Sequence, residues 1–317
     1  MLYSASSNLS PRTEITNAAG SVLVDVCDPK SITLRRNQLV TTTLKCIKTP
    51  IKYGRIAMGV TQTADGVTVE FEGGKTKKHA LAVLACGNRI RLLRNDLDVE
   101  PDTYVSWIVR YLPSSLKKDM PDHEICALGG SKHMIFSFPG EIALIAPYDL
   151  SDRSPEELQK IFEEQGFDPN LTKFISQTIK NKVKNFTIYR TDVAKNWFQG
   201  RVVGLGDAVH PMSPASARGA TLAIQDGIEL AECLAKQRDE EASILGTGPV
   251  AANALKRALL DYQRARKKPA ETMHRIEGYR LMYGMEVKSK LGLAARDTVY
   301  QSLFGLARNI GKIVGTS

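Results

Sequence analysis

The residues of this 317-residue chain best suited to chemistry lie in one short stretch. Arg201-Val202-Val203-Gly204-Leu205 reads as a buried strand that stops at Gly206-Asp207. Such a strand delivers a carboxylate to the carboxyl edge of a sheet, where α/β proteins bind ligands, so Asp207 can accept hydrogen bonds from ligand hydroxyls. The loop from His210 to Gly219 carries Pro211 and Pro214. It must run close to a ligand, which favours Gly219 and Ala220 because they have little or no side chain. A helix follows from about Ala220 to Lys236, and the unpaired N–H groups and positive dipole end at its start suit a carbonyl or an anionic ring. On residue types alone, a plain turn with a helix cap explains Gly206-Asp207 equally well.

The rest of the chain has to position that stretch. Leu39, Val40, Leu44 and Ile47 predict a helix from about Arg36 to Lys45. Ile56 to Thr63 and Val67 to Phe71 flank Asp65-Gly66, a hairpin signal. Ala80 to Ala85 is apolar throughout, as in a strand covered on both faces, and it ends at Cys86-Gly87. Strands at Tyr104 to Leu112, His133 to Phe138 and Glu141 to Pro147 predict an antiparallel sheet. Ser154, Pro155 and Glu157 form a capping box whose helix closes at Gly166. Leu171, Phe174, Ile175 and Ile179 make a further amphipathic stretch. In the helix after the loop, Ile224, Ile228, Ala231 and Ala235 are read as the packed stripe and Gln225, Asp226, Glu229 and Glu232 as the solvated face. The last third is helical, with a break or kink at Pro269.

Composition excludes several classes. The apolar content of 43% and charged content of 24% fit a folded soluble chain. The longest apolar run, Ala80 to Cys86, is far short of a membrane helix, so no transmembrane segment is predicted. Met1 to Arg12 has no readable secretory signal. The five cysteines are scattered singly, which fits a reducing, cytoplasmic setting better than a disulfide scaffold, and no metal spacing is present. Of the net +9, +8 lies between Lys256 and Ser317, with 13 Lys and Arg against 5 Asp and Glu. It sits in helical patterns without a recognised nucleic-acid motif, so no nucleic-acid partner is expected.

Trp197, the run Gly200-Arg201-Val202-Val203-Gly204-Leu205-Gly206-Asp207-Ala208-Val209-His210-Pro211-Met212-Ser213-Pro214, then Arg218-Gly219-Ala220 and Ala223-Ile224-Gln225-Asp226, together resemble the second flavin motif of the FAD-dependent aromatic monooxygenases. Para-hydroxybenzoate and salicylate hydroxylases typify that family. Leu260, Tyr262, Arg266 and Pro269 resemble its following helix, and Arg36-x-x-Leu39 its R-x-x-L segment. Asp65 to Phe71 resembles its hairpin, and Ala85-Cys86-Gly87-Asn88-Arg89 its A-D-G-x-R motif. The order of these blocks agrees from about Ser21 to Met273.

The resemblance implies an α/β FAD/NAD(P)-binding three-layer fold, with an inserted antiparallel sheet and a helical C-terminus. It also implies a hydroxylase in which NAD(P)H reduces FAD and oxygen from O₂ passes to an aromatic or polyketide-like small molecule. Arg36, Gly206, Asp207, Ala208, Pro211, Pro214, Gly219, Ala220 and Thr221 become the expected cofactor-binding residues. Asp207 would hold the ribityl chain, and Gly219, Ala220 and Thr221 would face the ring. No catalytic residue is assigned, and the oligomeric state is open. The expected division is a partial FAD-binding domain over 1–100, a substrate-side sheet with helices over 101–185, the second part of the FAD-binding domain over 186–248, and C-terminal helices over 249–317.

The match departs from the family in three ways. The opening strand, G-x-G-x-x-G turn and helix that receive the pyrophosphate are not found, so the fold is read as N-terminally incomplete. Cys86 stands where the A-D-G motif has its acid. Ser216 replaces a common glycine, and Thr221 the usual Asn. The alternative expectation is a non-catalytic truncated paralogue acting as a binding or interaction protein; a third is anion binding by the basic C-terminal helices. Among the other residues, His210 is read as structural, Cys86 as a small buried strand-end residue, and Trp107 and Tyr111 as sheet-face aromatics.

Overall fold

The computed structural model describes residues 12–27, 36–63, 65–87, 105–180, 183–188, 192–212, 218–240, 244–280 and 287–314. In chain order these form β1 (Arg12–Asn17), β2 (Val22–Cys27), α1 (Arg36–Leu44), β3 (Ala57–Thr63), β4 (Gly66–Phe71), β5 (Thr76–His79) and β6 (Ala82–Leu84). Then come β7 (Val105–Tyr111), β8 (Glu124–Leu128), β9 (Met134–Phe138), β10 (Glu141–Ala146), α2 (Pro155–Glu164), α3 (Pro169–Ser176) and β11 (Val183–Ile188). The remainder is β12 (Phe198–Gln199), β13 (Val202–Gly204), α4 (Gly219–Glu240), α5 (Gly248–Arg280) and α6 (Lys290–Val314). The chain divides into two compact units, one of Met1–Pro50, Tyr104–Ile188 and Tyr279–Ser317, the other of Ile51–Thr103 and Tyr189–Gly278.

The first unit is built on a seven-stranded sheet in the order β11-β7-β10-β9-β8-β1-β2. The predicted strands become β7, β9 and β10, and they pair antiparallel as their turn residues require. Two further strands come from residues with no clear pattern: β1 and β2 form a hairpin, and β1 joins β8 in parallel. One sheet face presents Ile108, Ile135, Ile142 and Leu144 to Leu158, Phe162, Phe174 and Ile175 of α2 and α3. Full burial of each such side chain contributes roughly 1.5–3 kcal/mol. Trp107 stacks on Phe136 at 5.7 Å and Phe136 on Phe138 at 6.4 Å between ring centroids.

The capping box at α2 forms as its sequence predicts. Ser154 Oγ accepts from Glu157 N at 3.1 Å, and Glu157 Oε2 accepts from Ser154 N at 2.7 Å. These bonds satisfy two amide donors that the first turn of a helix leaves open.

The second unit holds two small sheets. The Asp65-Gly66 turn connects β3 and β4, and β5 extends them into an antiparallel meander. In the other sheet β13 lies between β12, which is antiparallel, and β6, which is parallel. Arg201, just before β13, is buried and donates to the carbonyls of Ala80 (3.0 Å) and Gly246 (2.8 Å), which holds the entrance of β6 against β13.

Two expectations are corrected here. The run Ala80 to Ala85 is not covered on both faces: only Ala82–Leu84 is strand, and Val83 is 45% exposed while Leu84 on the opposite face is buried, so among the described residues only one face of β6 is covered. Of the break or kink expected at Pro269, the break does not occur. The proline ring is exposed, and α5 runs through it because Tyr262 and Ala270 are fully buried on either side.

Among the described residues no helix is long and apolar enough to cross a membrane, and no cluster of His, Cys, Asp and Glu could hold a metal ion. Ser154→Ala is expected to lower the unfolding free energy by about 1 kcal/mol, read by urea denaturation, with Glu157→Gln costing less because the amide oxygen can still accept.

Candidate cofactor site

β13 ends at Gly204, and the chain turns at once through a single 3₁₀ turn, Gly206–Ala208. Gly206 takes a left-handed φ of +58°, and a Cβ added there would meet the Cβ of Ala223 on α4 at 2.9 Å. Both facts require glycine at this position. The turn leaves Asp207 exposed, with Ala208 and Pro211 buried beneath it. A Cβ built on Gly219, the first residue of α4, would lie 3.9 Å from Asp207 Oδ1, so the carboxylate sits beside the start of that helix. The helix start supplies partial positive charge to an acid or an anionic ligand there.

Gly206, Asp207, Ala208, Pro211, Gly219, Ala220 and Thr221 are thereby brought together in one turn and one helix start. Gly219 is half-buried, and Ala220 and Thr221 are exposed. Pro214 and Ser216 lie outside the described residues. Arg36 opens α1 in the first unit, and its side chain also lies outside the described residues.

Beneath the turn is a polar network that residue patterns did not predict. Asp226, read as part of a solvated face, is 0% exposed, whereas Ile224 and Ile228, read as the packed stripe, are 57% and 54% exposed. The helix turns its Leu222, Asp226 and Leu230 line inward instead, one residue in each successive turn. The inversion has a physical cause: donors from two other elements satisfy the buried acid. Asp226 Oδ2 accepts from Gly206 N at 2.9 Å and pairs with His210 Nε2 at 2.5 Å, and Oδ1 accepts from Arg266 Nε on α5 at 2.9 Å. Arg266 Nη2 also donates to Gln225 Oε1 at 3.0 Å.

Burial alone pushes the Asp226 carboxyl up. The hydrogen bond and charge of His210, the Arg266 guanidinium and the Gly206 amide outweigh it and hold the group below the ordinary carboxylate value. An ionised carboxylate only accepts, so the proton between the pair resides on His210 Nε2.

The network is packed in aromatic rings. Trp197 lies 5.2 Å from the His210 ring and 5.7 Å from Tyr262, and the Tyr262 hydroxyl donates to Gly204 O at 3.1 Å. Burial, followed by the Asp226 charge, raises the Tyr262 phenol, so it remains a donor. His210 is structural in this arrangement, as expected. Cys86 is a correction: it is exposed at the end of β6 rather than buried.

The FAD binding domain family matches residues 95–247. The 6-hydroxynicotinate 3-monooxygenase of Pseudomonas fluorescens is 28% identical over 200 residues, which is 57% of this chain and 51% of that protein. The chain therefore spans about half the length of that curated relative. Two solved structures share the fold. The Klebsiella pneumoniae HpxO complex with FAD and uric acid superposes with a TM-score of 0.68 at 19% identity, covering 94% of this chain and 77% of that one. A salicylate hydroxylase substrate complex superposes with a TM-score of 0.65 at 18% identity, covering 94% and 79%. The chain thus carries an FAD binding domain match over 153 of its 317 residues and is similar to FAD-dependent aromatic monooxygenases. The cofactor that its matched domain implies is FAD.

Because the folded Asp226 carboxyl is held low, its contribution to stability is present above the unfolded value of about 3.9 and is lost as pH falls through the folded value. Among the described residues, His210, Arg266 and Tyr262 are the titratable groups that interact with it. Asp226→Ala is expected to cost about 3–5 kcal/mol at pH 7, with the gap to the parent narrowing on acidification, measured by urea denaturation across pH 7 to 3.

Proposed function

We propose that this chain forms the ribityl and ring side of a flavin site in a monooxygenase that hydroxylates an aromatic or polyketide-like small molecule with NAD(P)H and O₂. The observation that carries the reading is the Gly206-Asp207 turn set against the small residues that open α4. The fit to FAD is specific in kind. The exposed Asp207 carboxylate suits a polyol chain, and the absence of side-chain bulk at Gly219 and Ala220 lets a flat ring approach the amides of a helix start. Ala208 and Pro211, both buried, support the turn from below, and Pro214 and Thr221 are the further residues that the family motif implies.

When bound, FAD supplies the redox and oxygen chemistry, which no side chain can perform. The chain's own residues bind and orient it and exclude water. Arg36 is proposed to approach the cofactor as its motif implies. The names of the relatives support an aromatic substrate: one acts on 6-hydroxynicotinate, and another is a salicylate hydroxylase.

Titration of the purified chain with FAD, followed by flavin absorbance and fluorescence, tests the reading. The parent is expected to bind, and Asp207→Ala to bind about 10- to 150-fold more weakly, the worth of one hydrogen bond to a charged group. NAD(P)H-dependent oxygen uptake stimulated by an aromatic compound would extend the result to activity. Equal FAD affinity in parent and variant would remove Asp207 from the site, and a folded, colourless parent that ignores saturating FAD would favour a non-catalytic binding protein.

A further inference from the structure

We infer that Asp226 is the positioning residue of this site: its buried carboxylate locks the Gly206-Asp207 turn to α4 and α5, and thereby sets where Asp207 and the start of α4 face a ligand. The inference rests on the flavin reading for its ligand and on geometry alone for its mechanism.

Asp226 lies seven residues after Gly219, about 10 Å along the helix axis. The same helix therefore carries the small residues of the proposed site at its first turn and the anchor two turns further in. Asp226 Oδ2 holds Gly206 N–H, the amide immediately before Asp207. That amide belongs to a residue in a left-handed conformation, with no room for a Cβ between it and Ala223, so the turn cannot relax toward α4. The same oxygen holds His210, which closes the turn through its own N–H to Gly206 O at 3.0 Å. The other oxygen is tied to Arg266, forty residues along the chain. Strand end, helix and a second helix thus meet on one side chain. Losing the carboxylate leaves donors at Gly206, His210 and Arg266 facing one another, and the turn is the part of this network without regular secondary structure to hold it.

A purely space-filling role predicts none of this, and Asp226→Asn separates the two, because the amide keeps the volume and removes one acceptor oxygen. In the 317-residue chain without flavin, amide hydrogen exchange at Gly206 is expected to be at least tenfold faster in the variant. Exchange at Gly204, whose N–H donates to Trp197 O at 2.8 Å, should stay unchanged and report intact folding. The FAD dissociation constant is expected to rise at least tenfold. Should Asp226→Asn fail to fold, Arg266→Ala carries the test, since it unties Oδ1 from α5 and leaves the carboxylate held only by the turn, and Gly206 exchange should again rise selectively. Unchanged Gly206 protection, or a released Gly206 with unchanged FAD affinity, overturns the inference. A parent that binds no FAD defeats the flavin reading instead, and Gly206 exchange then decides the positioning role by itself.

Discussion

A carboxylate stripped of water survives in a protein interior only where donors replace the lost hydration, and Asp226 has three: an amide, an imidazole and a guanidinium. Two come from the turn after β13 and one from α5, so the acid can be accommodated only when that turn, α4 and α5 are all in their native positions. This gives the second unit a single defined arrangement around the turn. An apolar residue at position 226 would pack the same space without specifying which way Gly206 and His210 point.

Much of the fold was legible because it is encoded locally. The Asp65-Gly66 hairpin, the Ser154 capping box and the strand before Gly206 rest on neighbouring residues whose preferences agree with the structure. β1 and β2 were not legible. Thr13, Glu14 and Thr16 are polar, and their strand is fixed by pairing with β8 more than a hundred residues away. The exposed Val83 shows the same limit, since an apolar run reports its own composition and not whether another layer covers its face.

The site divides along the same line. The turn at Gly206-Asp207 and the helix start at Gly219 and Ala220 could be read from residue type and spacing, because a tight turn and a close approach demand small or flexible residues. The foundation beneath them could not. Periodicity assigned the apolar residues of α4 to the interior, yet the helix buries Asp226 and exposes Ile224 and Ile228, since Arg266 and His210 are waiting on the other side. The signal lay in complementarity between distant polar residues, to which a hydrophobic pattern is blind.

The placement of the two tryptophans has a practical consequence. Trp107 belongs to the first unit, stacked on Phe136, and Trp197 to the second, wedged between His210 and Tyr262. With only two indoles in the chain, ultraviolet emission carries one natural reporter for each half of the molecule. Replacing either one with phenylalanine would turn the remaining emission into a label-free optical record of how a single half melts.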